Sequence, residues 1–319
     1  MIRTAVVGLG EPADRHAEAL NNDPLATLVA VCTGDPAAGA RFGVPVYPTL
    51  SALLAADQPD LVCVCAPAAA DDTRLALEAG ASVLCLPPAA PDLQQTARLA
   101  ALAQERNLVL AGAFNHRFVP VAATARRWVE QGALGTILFA HMSLWEQGGA
   151  GPEPFARFRA AAGHAVDLLR YLCGDISEVQ SFVSRPGRRD PRDTVNVNLR
   201  FASGAVGHFS YSPDMTTRHP WARCEVAGNV ARLEIGNVYE EATLYPHAEP
   251  EKRVVTNNIW SGLLGYHETW RVRLRHLLQH MDSGTPPAEI AGGAADLVAA
   301  QAVVEAAVAS ASDGEPRKV

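Results

Sequence analysis

Thr4-Ala5-Val6-Val7-Gly8-Leu9-Gly10-Glu11-Pro12-Ala13 decides how the rest of this 319-residue chain is read. Thr4 to Val7 is a short apolar run with the character of a buried strand, and the six residues after it have the form G-x-G-x-x-A. At a strand-to-helix turn that spacing suits the pyrophosphate of a dinucleotide. The first glycine permits the tight bend, the second lets backbone approach phosphate, and a small third residue lets the helix pack on the strand. The first amides of the helix and the positive end of its dipole then face the phosphates. Gly8, Leu9, Gly10 and Ala13 are therefore candidate cofactor-binding residues. An ordinary glycine-rich turn beside a buried strand has the same local sequence, so the neighbouring elements must decide between the two.

They repeat as a parallel sheet requires. Leu28 to Cys32 is a second apolar strand, followed by helix Thr49 to Ala56, strand Leu61 to Cys65, helix Thr73 to Ala79, strand Ser82 to Leu86, helix Pro91 to Arg106 and strand Leu108 to Ala111. Continuous apolar strands alternating with helices predict a doubly wound α/β domain. Thr33, at the end of the second strand, occupies the place where a carboxylate would hold the ribose hydroxyls of NAD and repel the phosphate of NADP. Asp35 either substitutes for that carboxylate or caps the next helix ahead of Pro36. No adjacent arginine argues for a phosphate, so the cofactor is NAD or NADP. Ala66 and Pro67 fall at the carboxyl end of a strand past the first half of the sheet, where a dinucleotide would cross.

Beyond Val119 the pattern changes. A helix from Pro120 to Gln131 gives way to strands that alternate apolar and polar residues: Ile137 to Leu144, Glu178 to Ser184, Thr194 to Phe201, Ala205 to Ser212, Ala222 to Val226 and Ala231 to Ile235. Such alternation predicts a mainly antiparallel sheet covered on one face. Helical segments Gly163 to Leu172, Glu268 to Met281 and Ala291 to Ala311 complete an α+β domain. The expected division is a dinucleotide-binding domain over 1–118 and a substrate and oligomerisation domain over 119–319.

A net charge of −7 argues against an unaided nucleic-acid surface, and the local cluster of Arg185, Arg188, Arg189 and Arg192 reads as a solvated hairpin tip. No apolar run is expected to span a membrane, and the first residues lack the pattern of a signal peptide, so the chain is expected to be cytoplasmic. Cys32, Cys63, Cys65, Cys85, Cys173 and Cys224 sit mostly within apolar runs and read as core residues. Cys63 and Cys65 share a strand face, but no ligand-spaced His or Cys accompanies them, so no metal is expected.

Five stretches resemble the glucose-fructose oxidoreductase, inositol dehydrogenase and rhizopine catabolism family, Gfo/Idh/MocA. They are Val7-Gly8-Leu9-Gly10 with His16, Leu77-Glu78-Ala79-Gly80, Phe114-Asn115-His116-Arg117-Phe118-Val119-Pro120, Gly132-Ala133-Leu134-Gly135, and His164-Ala165-Val166-Asp167-Leu168-Leu169-Arg170-Tyr171-Leu172. The resemblance implies a Rossmann domain joined to an α/β domain whose open sheet mediates homodimer or homotetramer contacts. It also implies hydride transfer between NAD(P) and a hydroxyl carbon of a sugar, polyol or related small molecule. It places His164 as the catalytic base; Asn115, a cofactor candidate, and Arg117, Trp145 and Tyr266 are candidates to line a cleft between domains, with Arg117 reading first as support for the domain junction and Trp145 equally as a sheet-packing residue.

Two departures stand against that pattern. Family enzymes carry Glu-Lys-Pro after the fifth strand, and their lysine assists proton transfer; here the stretch is Leu86-Pro87-Pro88, and the chain's lysines are Lys252 and Lys318. The family's aspartate four residues before the catalytic histidine is Ala160. The loop from Ala66 to Asp72 also looks short and lacks the family's histidine. The expectation is thus an oxidoreductase with an altered site in which His164 or another side chain outside the motifs handles the proton; a non-catalytic sensor, regulator or partner subunit that keeps the fold is the alternative.

Overall fold

The computed structural model describes residues 1–8, 10–35, 37–66, 69–148, 151, 153–184, 194–218, 220–257 and 265–319. Leu9, Pro67 and the arginine cluster at 185, 188, 189 and 192 lie outside them. In chain order the elements are β1 (Ile2–Val7), α1 (Glu11–Asn21), β2 (Ala26–Cys32), α2 (Ala37–Phe42), β3 (Val46–Tyr47), α3 (Leu50–Ala56), β4 (Leu61–Val64), α4 (Ala70–Glu78), β5 (Ser82–Cys85), α5 (Leu93–Glu105) and β6 (Leu110–Gly112). There follow α6 (Pro120–Glu130), β7 (Ile137–Trp145), α7 (Ala156–Cys173), β8 (Ile176–Val183), β9 (Val195–Phe201), β10 (Val206–Ser212), β11 (Ala222–Gly228), β12 (Ala231–Gly236), β13 (Glu241–Pro246) and β14 (Arg253–Thr256). The last elements are α8 (Glu268–Asp282), α9 (Ala294–Asp313) and β15 (Arg317–Lys318). They group into two units, Met1–Asn115 with His267–Gln301, and His116–Tyr266 with Ala302–Val319.

In the first unit six parallel strands run in the order β3-β2-β1-β4-β5-β6. The order reverses beside β1, which puts the crevice for a ligand at the carboxyl ends of β1 and β4. All four residues of β4 and of β5 are buried, as a strand covered on both faces demands. Ala13, Ala17 and Leu20 of α1 pack with Val6, Leu28 and Leu61, and Leu274, Leu277 and Leu278 of α8 join the same core. That apolar stripe on α8 explains why a segment so late in the chain belongs with the first strands rather than with everything after residue 118. An ion pair between Arg275 and the buried Asp23 pins α8 to the end of α1.

The second unit is a nine-stranded sheet in the order β14-β13-β12-β11-β7-β10-β9-β8-β15, antiparallel except where β10 runs parallel to β7. Strict alternation along β9 buries Val195, Val197, Leu199 and Phe201 against the helical layer and exposes the residues between them. Phe158 of α7 packs on Phe209 and Tyr211 of β10, with ring centroids 6.0 and 5.6 Å apart. The chain is thus an α/β protein with one parallel sheet and one large, mainly antiparallel sheet.

Three differences from the sequence reading are local. α7 begins at Ala156, not Gly163, because Ala-Arg-Phe-Arg-Ala-Ala-Ala carries high helix propensity once Phe155 has turned the chain at φ 62°. β3, β13, β14 and β15 were not expected; β3 and β15 have two residues each, and β14 is a short strand at the edge of its sheet. Finally, α9 is by length and composition apolar enough to cross a membrane, with a mean hydropathy of 1.4, contrary to the expectation that no run would be. Its alanines and valines supply that value, and half of the stretch is buried within the protein.

Candidate functional site

The first unit forms the turn the opening stretch predicts. The Gly8 amide donates to the Cys32 carbonyl at 3.0 Å, and its φ of 132° is open only to glycine. A Cβ there would also meet the Cys65 carbonyl oxygen at 3.2 Å. Gly10, at φ 81°, caps α1 and has no atom within 4 Å of where a Cβ would project, so the backbone at the helix head is open to approach. Ala13 is buried between helix and strand. Pro12 removes one donor within the first turn, a position where the amide has no partner inside the helix. These residues fit a pyrophosphate.

Thr33 is buried, and its hydroxyl accepts from the Asp35 amide at 3.2 Å. Asp35 accepts from the Ala37 amide at 2.9 Å, which spends it on the start of α2. Ala66 follows β4 and is partly buried. Asn115 is fully buried; its amide nitrogen donates to Thr269 Oγ1 at 2.6 Å, while Oδ1 has no hydrogen-bond partner among the described residues.

The second unit holds a cavity of about 380 Å³ lined by His164, Trp145 and Tyr266 together with His116, Glu146, Arg157 and Trp221. It brings three of the expected residues to one wall system. Arg117 is not among the lining residues. It is buried and spent on Asp167, with Nε to Oδ2 at 2.7 Å and a second contact between Nη2 and Oδ1, and it lies over the Tyr171 ring at 5.3 Å.

His164 rises from α7 into the cavity, one turn after Ala160 on the same helix face. Burial pushes its imidazole down to about 4. His116 leans on it with ring centroids 5.2 Å apart and is itself held well below 6.5, by burial first and by His164 second. Both rings are therefore neutral at ordinary pH, and neutral imidazole can accept a proton. Nε2 of His116 lies 2.9 Å from the Tyr266 hydroxyl, and Trp221 meets the Tyr266 ring edge-on at 5.1 Å. Glu146 accepts from the Tyr211 hydroxyl at 2.6 Å. The stretch Leu86-Pro87-Pro88 belongs to the first unit and contributes no titratable group.

Residues 2–114 match the oxidoreductase family with an NAD-binding Rossmann fold, GFO_IDH_MocA, and residues 122–234 match the GFO/IDH/MocA C-terminal domain. The chain belongs to the Gfo/Idh/MocA family. Levoglucosan dehydrogenase of Pseudarthrobacter phenanthrenivorans is 28% identical over 189 residues, covering 48% of each chain. D-glucoside 3-dehydrogenase of Escherichia coli is 35% identical over 144 residues, covering 43% of this chain and 41% of that one, so these two matches span less than half of the relatives' length. Inositol 2-dehydrogenase of Rhizobium meliloti is 24% identical over 98% of this chain and 97% of its own. A solved structure of levoglucosan dehydrogenase with NADH and levoglucosan shares the fold, with a TM-score of 0.87 and 22% identity over 100% of this chain and 99% of that one.

Sequence reasoning missed His116 as a cavity residue, although it stands inside the matched Phe114 to Pro120 stretch, and it missed Arg157, Glu146 and Trp221 altogether. His116 stands between Asn115 and Arg117, residues already given roles, and drew none of its own. Arg157 lies in the two helical turns that the sequence left unassigned. Among the described residues no three His, Cys, Asp or Glu are grouped to hold a metal, and burial pushes the Cys63 and Cys85 thiols up to about 12, which leaves them inert.

Proposed function

We propose that this Gfo/Idh/MocA protein is an NAD(P)-dependent oxidoreductase that oxidises a hydroxyl carbon of a sugar or polyol, with His164 as proton acceptor. The observation that carries the reading is a neutral, partly buried imidazole on the wall of a cavity that also offers the Glu146 carboxylate and the Tyr266 hydroxyl to a polyol. The nicotinamide dinucleotide, NAD or NADP, supplies hydride acceptance when bound. The chain's own residues do the rest: Gly8, Gly10 and the head of α1 bind the phosphates, Thr33 meets the ribose, and Ala66 and Asn115 line the remainder of the cofactor's path. At the cavity His164 takes the hydroxyl proton, with Trp145, Trp221 and Tyr266 excluding water and orienting the ring. The neighbours His116 and Tyr266 stand where a displaced proton can be passed between hydroxyl and imidazole.

This is an altered site. The family's lysine position is Pro87 and its aspartate position is Ala160, so neither of those two charged groups raises the basicity of His164. Those same two replacements favour the second reading, a member that binds nucleotide as a sensor, regulator or partner subunit. Reduction of NAD or NADP, followed by absorbance across a panel of sugars, polyols and their acids, separates the two. Turnover that falls at least about a hundredfold in His164→Ala, the usual weight of a general base, supports the enzyme. Tight dinucleotide binding with no turnover on any panel member refutes it in favour of the second reading.

We further propose a cytoplasmic homodimer or homotetramer assembled through the open face of the large sheet, where Phe139 and Val206 are exposed on adjacent strands. Light scattering of wild type against a Phe139→Glu variant tests it.

A further inference from the structure

We infer that the molecule taken by the cavity carries an acidic group, a carboxylate or a phosphate on a polyhydroxy body, and that Arg157 receives it. The inference rests on the sugar or polyol reading above and narrows it to the anionic members of that class.

Arg157, Ala161 and His164 follow one another at the spacing of a single helix face on α7, and all three line the cavity. The neighbouring arginines are spent: Arg159 on Glu305 at 3.0 Å, Arg170 on Asp175 at 2.6 Å and Arg117 on Asp167. Arg157 has no ion-pair or hydrogen-bond partner among the described residues. Its guanidinium lies against the backbone of Gly148, where an added Cβ would run into Nη1 and come within 2.6 Å of Cζ and Nη2. Only a glycine leaves room for that placement.

Guanidinium stays charged at any accessible pH, and its planar fork matches the oxygens of a carboxylate or phosphate in two parallel bonds. The remaining charge on the lining is Glu146, whose Oε2 is already engaged by the Tyr211 hydroxyl. His116 and His164 carry none at ordinary pH. The lining therefore carries one cation and one anion, Arg157 and Glu146, with no ion pair between them among the described residues, and Arg157 shares the helix face of the proposed base. The hydroxyls of a neutral sugar can accept from the guanidinium, but only an acidic group also brings it an opposite charge, which favours acidic over neutral ligands.

The test pairs D-glucuronate, D-gluconate and glucose 6-phosphate with D-glucose, and D-galacturonate with D-galactose, on the full-length protein with NAD or NADP. We expect kcat/KM for an acid to exceed that for its neutral counterpart by at least about tenfold, the weight of a charge-assisted bidentate contact. Arg157→Ala collapses that ratio, mainly through KM, whereas Arg157→Lys retains part of it. Gly148→Ala, which displaces the guanidinium without removing it, lowers the ratio too. The phosphate and carboxylate arms show which acidic group is preferred. Equal or better use of the neutral sugars, or a ratio unchanged in Arg157→Ala, overturns the inference and leaves the dehydrogenase reading standing. If nothing turns over, that reading fails and calorimetry decides this one: binding of an acid that is lost in Arg157→Ala upholds it, and binding of no acid, or of acid and neutral sugar alike, overturns it.

Discussion

Nε2 of His116 lies 2.9 Å from the Tyr266 hydroxyl, while Nδ1 of the same ring is buried with no hydrogen-bond partner among the described residues. The ring is thus held by a single polar contact and by its lean on His164. Tyr266→Phe leaves both nitrogens of a buried imidazole unsatisfied, a loss of about 1–3 kcal/mol. We expect that loss in urea unfolding, together with reduced turnover on any accepted substrate. An unchanged unfolding midpoint would show that water or a moved side chain takes the hydroxyl's place.

Five histidines are pushed down by burial: His164 and His276 to about 4, His116 well below 6.5, and His16 and His208 below 6.5. The unfolded chain takes up protons near 6.5 that the native chain refuses, so the contribution of these groups is fully present above that pH. It drains away as pH falls from 6.5 toward 4, after which the groups at about 4 are protonated in both states. For His164 alone the difference is on the order of 3 kcal/mol. Urea midpoints measured across this window should fall steadily with pH, and His164→Gln should flatten the slope. In turnover, kcat/KM should stay level on the base's account down to about pH 5, because a free-enzyme base near 4 titrates only below that.

The Arg117–Asp167 pair is buried on both sides. Asp167→Ala strands a guanidinium away from water and should cost about 3–5 kcal/mol, whereas replacing both residues by apolar ones of similar volume should cost far less. A double-mutant cycle read by denaturant unfolding checks this. Equal losses in the single and double variants would mean that the arginine reaches solvent when its partner is removed.

The two sheets were legible because their patterns differ in kind. β4 and β5 are apolar at every position, while β9 alternates residue by residue, and burial follows both patterns. The turn after β1 was legible because glycine spacing is a backbone requirement that leaves a mark in sequence. The cavity was only half legible. His164 came from a matched motif and Trp145 and Tyr266 were cleft candidates outside the motifs, but Arg157 and Glu146 come together only when α7 starts early and β7 ends beside it. Arg117 shows the reverse: its motif marked it for the domain junction or the cleft, and a carboxylate three residues past His164 claims it, a pairing across 50 residues that no local pattern announces.

The two glycines of the opening turn should fail in different ways. At Gly8 an alanine must adopt φ 132° and also push a Cβ to 3.2 Å from the Cys65 carbonyl oxygen and 3.3 Å from the Cys65 Cβ, both fixed in the centre of the sheet. Strain and overlap add, so Gly8→Ala should destabilise the first unit by about 1–3 kcal/mol and abolish dinucleotide binding. At Gly10 an alanine meets nothing within 4 Å and carries only the penalty of φ 81°, about 1 kcal/mol. Its methyl group nevertheless projects into the space that a pyrophosphate must enter at the head of α1. Gly10→Ala should therefore stay folded, with a urea midpoint near wild type, and lose NAD and NADP affinity measured by calorimetry or by fluorescence of the reduced dinucleotide. If Gly10→Ala binds as tightly as wild type, the phosphates do not sit at this turn, and the cofactor reading of Gly8 falls with it.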